Sequence, residues 1–158
     1  MAKSTPELID ALRMTAQHLA AGAAYEWGHM GRCNCGHLVQ TITTMNAREI
    51  VEAVDFAMDE WSEHAKDYCV GTGQNVETLF LTLQNIGFNY QDVIHLENLT
   101  DGRVLGRLNT FLRRNCVDDV IRYMTTLADI LEEDALSSTH NRFQLDVDVP
   151  SPCLASIT

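Results

Sequence analysis

Positive charge is what this chain lacks most. Its 158 residues carry 11 lysines and arginines against 22 aspartates and glutamates, a formal net charge of −11. Phosphate affinity comes from clustered cations, so this balance argues against a nucleic-acid partner. The nearest basic group is Arg103, Arg107, Arg113 and Arg114, and it is thin and interleaved with apolar residues. No apolar run approaches the roughly 20 residues needed to span a bilayer, so no membrane partner is expected. The opening MAKSTPELIDAL has no apolar core of a secretory signal, which leads to the expectation of a cytoplasmic protein. Phosphate-binding loops, dinucleotide fingerprints and the G-x-S-x-G elbow are all missing, so nucleotide-binding and serine-hydrolase readings find no support. There is no fixed-period internal repeat.

What is present is apolar content close to a normal globular composition and a length that suits one domain. The reading is all-α: a compact bundle of five to seven helices over residues 1–136, followed by an extended or disordered C-terminal arm over 137–158. The first helix has two possible starts, a Ser4/Glu7 capping box or Thr5 with Pro6 at the first turn. Leu8, Ile9, Leu12, Ala16 and Leu19 recur at helical spacing, and Gly28 is the expected terminator near Trp27. Asn34 is a plausible N-cap for a second helix, although Thr41, Ile42, Thr43 and Thr44 also suit a strand. Asn46 with Glu49 opens a third helix expected to reach Lys66 or Tyr68. Asn75 begins a fourth that stops at Gly87. Asn89 with Asp92 caps a fifth, Asp101-Gly102 breaks it, and Val104 to Leu112 make a short piece. A long helix over 115–134 carries Val117, Val120, Ile121, Met124, Leu127, Ala128 and Leu131. Its closing Glu132, Glu133 and Asp134 oppose the helix dipole and predict fraying. Beyond Ser137, Phe143, Leu145, Val147 and Val149 alternate with polar residues like a lone strand.

The chemically dense stretch is Tyr25 to Gln40, YEWGHMGRCNCGHLVQ, with two cysteines, two histidines and three glycines. Thiolate and imidazole suit zinc or iron, so Cys33, Cys35, His29, His37 and Glu26 are candidate metal ligands. The C-x-C spacing does not match the usual zinc-finger pairing, and a second contributor is needed. A helical hairpin would bring up the end of the third helix, with His64 and Cys69, beside Glu60, Glu63 and Tyr68. One Glu-x-x-His sequence, at Glu26 and His29, is too little for a di-iron bundle, which uses two. Thiol chemistry is a further possibility. A cysteine at a helix N-terminus beside Arg32 would ionise more easily, with His29 or His37 as a base.

Two function classes follow. One is a cytoplasmic protein with a metal- or thiol-centred site built from Cys33, Cys35 and the His64–Cys69 end of the third helix. The other is a non-enzymatic helical interaction or small-ligand-binding protein whose cysteines are incidental. Either could form a homodimer through a helix face or the C-terminal arm.

Overall fold

The computed structural model describes residues 1–53 and 75–145. They form α1 (Pro6–Ala20), α2 (Asn34–Thr43), α3 (Ala47–Ala53), α4 (Asn75–Asn85), α5 (Tyr90–Asn98), α6 (Gly102–Leu108) and α7 (Val117–Leu145), with no strand among the described residues. The fold is all-α, as the periodicity predicts. The strand alternative at 41–44 gives way to the end of α2.

Local chemistry sets most boundaries. Thr5 caps α1 by accepting from the Leu8 N–H at 3.2 Å, with Pro6 at the first helical position. Asn89 and Asp92 form a reciprocal capping box on α5, and Asn46 and Glu49 do the same for α3. Gly87 ends the α4 region with φ +95°, the Phe88 N–H reaching back to the Leu83 carbonyl.

The centre of the molecule is α1 laid along α7. Leu8, Leu12, Ala16 and Leu19 meet the layer of Val120, Met124, Leu127 and Leu131, all buried. Tyr123 is also fully buried. Its hydroxyl accepts from the Asp101 N–H at 3.2 Å and donates to the His95 carbonyl at 3.2 Å, tying α5 and α6 to α7. The long helix outruns its expected end. Glu132 meets Arg13, Glu133 meets Arg107 and Asp134 meets Arg103, so cations from α1 and α6 replace the dipole conflict that predicted fraying. Ser137, Ser138 and Thr139 are helical rather than linker. Residues 146–158 lie outside the described residues, as do 54–74, with the expected Glu60, Glu63, His64, Tyr68 and Cys69.

Candidate functional site

The dense stretch becomes a corner between α1 and α2. α1 stops at Ala20, short of Gly28. Gly22, at φ +94°, takes the left-handed position, and the Gly22 and Ala23 N–H groups bond back to Leu19 and His18. Tyr25 and Trp27 are therefore loop residues rather than the helix's last turn. The corner is closed by its own backbone: the Glu26 N–H donates to the Arg32 carbonyl at 3.2 Å, and the Arg32 and Cys33 N–H groups converge on the His29 carbonyl at 2.8 and 2.9 Å. Two glycines make the packing possible. A Cβ on Gly31 would run into the Ala47 backbone at the start of α3, and one on Gly36 would run into the Met30 carbonyl.

Cys33, not Asn34, is the N-cap of α2. Its sulfur accepts from the Gly36 N–H at 3.4 Å and donates to the Met30 carbonyl at 3.7 Å. Cys35 donates to the Val93 carbonyl at 3.5 Å. Both cysteines are 1% exposed. The helix start and the neighbouring arginine lead one to expect an easily ionised thiol. Burial reverses this, pushing both thiols well above the usual range, and the carboxylate of Glu97 adds to the effect. The cap hydrogen bond from Gly36 pulls Cys33 the other way and loses to burial.

The other expected ligands go elsewhere. Glu26 is exposed and pairs with Arg32 at 3.4 Å. His29 Nδ1 accepts from the Gly31 N–H at 3.2 Å, stabilising its own turn. His37 is buried, bonds the Ala24 carbonyl at 3.1 Å and stacks on Tyr25 with ring centroids 6.3 Å apart. Among the described residues, no three His, Cys, Asp or Glu side chains gather closely enough to hold a metal ion. His64 and Cys69, the expected second contributors, lie outside the described residues.

What Cys33 and Cys35 do meet is the end of α5, through a residue between them. Asn34 is fully buried, and its amide donates to the Leu96 and Glu97 carbonyls at 3.0 Å each. Those carbonyls belong to the last turn of α5, where helix carbonyls run short of intrahelical partners, and Leu96 accepts besides only from the Leu99 N–H of the cap, at 3.3 Å. Glu97 returns the contact: its carboxylate accepts from the Cys35 N–H at 3.3 Å, where the α2 dipole favours negative charge. The Tyr25 hydroxyl lies between Asn34 Oδ1, at 2.7 Å, and the Arg114 carbonyl. Burial and the Glu97 charge raise its pKa, so it stays a neutral donor.

Two clefts flank the corner. One, of about 570 Å³, is lined by His18, Arg32, His37, Gln40 and Thr44 among others. The other, of about 580 Å³, is lined by Trp27, Asn98, Thr100, and residues 111–115. In the second, the Arg114 guanidinium lies 4.1 Å from the centre of the Trp27 ring and donates to Asn98 Oδ1 at 2.9 Å. Phe111 beside it is 86% exposed. No pattern in the sequence marks Asn34, Glu97, Trp27 and Arg114 as one neighbourhood, because their partners are far along the chain. Comparison with known proteins yields no match to a family model, to a curated protein or to a solved structure.

Proposed function

We propose that this chain is a non-enzymatic helical protein that binds a small molecule, and that Cys33 and Cys35 serve its architecture. The observation that carries this reading is the enclosure of both thiols, each turned to a backbone carbonyl inside the core. A thiol with a raised pKa and no access is a poor nucleophile and a poor ligand for exchange. Beside this closed corner stand two clefts whose volumes fall in the range of small-molecule sites, about 300–1,000 Å³. The acidic balance disfavours nucleic acid as the partner. No described helix is long and apolar enough to cross a membrane.

The rival reading is a zinc or iron centre that Cys33 and Cys35 share with His64 and Cys69. Metal analysis of untagged protein separates the two. The binding reading expects no stoichiometric metal, and a thermal-shift screen of small molecules should return ligands that act equally on the wild type and on Cys33→Ser/Cys35→Ser. One equivalent of zinc or iron, lost in that double variant, would overturn it.

A further inference from the structure

The Trp27–Arg114 cleft holds an arginine with no carboxylate partner among the described residues, whereas the one arginine of the other cleft is paired. In a chain with twice as many acids as bases, the described lining of the Trp27–Arg114 cleft contains two arginines and no carboxylate. The two cations differ. Arg113 is neutralised by Asp119, Nε to Oδ2 at 3.1 Å. Arg114 has no carboxylate partner among the described residues and spends one N–H on a neutral amide. The site therefore offers one uncompensated positive charge. The Trp27 Nε1–H is closed off from solvent and has no acceptor among the described residues, although it lies in the ring directly beneath that guanidinium. Flat apolar surface completes the wall, with the exposed ring of Phe111 and the buried Leu112. In the opposite cleft, by contrast, Arg32 is paired to Glu26, His37 to the Ala24 carbonyl and Gln40 to the Gly31 carbonyl.

From this geometry we propose that the Trp27–Arg114 cleft binds a planar aromatic monocarboxylate. The ligand's ring lies against Phe111 and its carboxylate takes the free edge of the Arg114 guanidinium. One free cation matches a single negative charge. A phosphate dianion would leave charge unbalanced, because Arg113 is already committed. The Tyr25 hydroxyl holds the Arg114 carbonyl, so the dense corner becomes the part that positions the cation. This inference names the ligand class for the binding reading above and rests on it.

The test uses the full chain with Trp61→Phe, so that the indole N–H signal of Trp27 stands alone in a nitrogen–proton correlation spectrum. The probes are 2-naphthoate, its neutral carboxamide and inorganic phosphate. Naphthoate should shift the Trp27 N–H resonance, through the guanidinium stacked on that ring, and saturate. The carboxamide should bind roughly tenfold more weakly, the share of a charge-assisted hydrogen bond. Phosphate alone should not saturate the site. Arg114→Gln should lose roughly tenfold in naphthoate affinity. Equal affinity for naphthoate and carboxamide would overturn the charge assignment and leave the binding reading standing. Absence of any probe effect at the Trp27 signal would overturn the proposed site. If the small-molecule screen were also empty, the binding reading would fall with it.

Discussion

Cys33 occupies a position that oxygen fills better than sulfur. Ser is among the preferred N-caps because its short, hard acceptor suits the backbone N–H of the first turn. The 3.4 Å contact to the Gly36 N–H is the sulfur version of that bond. Cys33→Ser should therefore fold and keep most of the wild-type stability, its hydroxyl turning to the Met30 carbonyl. Cys33→Ala leaves the Gly36 N–H without its cap acceptor and should be about 1 kcal/mol less stable than the Ser variant in urea unfolding. Equal losses in both variants, with added zinc stabilising the wild type and neither variant, would instead mark the sulfur as a ligand. His37 makes a pH-dependent contribution whose sign follows from its burial. Burial lowers its pKa from the usual 6.5, the Ala24 carbonyl opposing and His18 adding slightly. The unfolded chain thus takes up a proton at a higher pH than the folded one. Stability is fully present above the unfolded value and falls as the pH drops below it towards the folded value. Between pH 7.5 and 5.5, the wild type should lose more stability in urea melts than His37→Gln, whose amide can still donate to Ala24. Parallel losses would mean that His37 titrates as it does in the unfolded chain.

At the scale of elements, the informative positions are helix ends. Thr44 closes α2 in the left-handed region at φ 61°, a conformation that costs an L-residue roughly 1–2 kcal/mol and suits a β-branched one least. It is exposed, so its side chain recovers little of that by packing. Thr44→Gly or Thr44→Asn should raise stability by about 1 kcal/mol, seen as an upward shift in the urea midpoint at constant slope. An unchanged midpoint would mean that the strain is relieved in solution. The helix starts were readable from sequence because each is a local contract: Thr5 with Leu8, Asn46 with Glu49, Asn89 with Asp92. The end of α1 was not. Gly22 and Gly28 both satisfy the left-handed requirement and both have positive φ. The earlier one wins because Tyr25 must leave the helix to reach Asn34 and Arg114. The end of α7 was misjudged for a similar reason, since the arginines that neutralise its acids come from α1 and α6. Asn34 shows the limit most clearly. Its type correctly signals capping, yet the helix end that it caps is α5, more than sixty residues away. The chemically rich residues of the corner could be named from sequence, but their roles depended on such distant partners.

For the whole molecule, the corner joins two halves of the chain, and this makes its thiols reporters of cooperativity. Exposing Cys35 requires breaking its bond to Val93, and exposing Cys33 requires breaking the α2 cap. Asn34 between them holds α5, and α5 is held in turn by Tyr123 in the centre of the core. The two sulfurs should therefore become accessible in one event, with a free energy near that of global unfolding. Alkylation of the native protein, read by peptide mass, should modify the half-buried Cys116 early and leave Cys33 and Cys35 protected together. Asn34→Ala removes the donor to the buried Leu96 and Glu97 carbonyls, of which Leu96 keeps the Leu99 N–H, and takes one acceptor from the Tyr25 hydroxyl, a loss of about 2 kcal/mol by the cost of an unsatisfied buried group. It should speed labelling of both thiols by the same factor, because both depend on the same opening. If Cys33 reacted quickly while Cys35 stayed protected, the corner would open on its own. Arg114, held by Tyr25 from that corner, would then lack the fixed position that the Trp27 cleft requires.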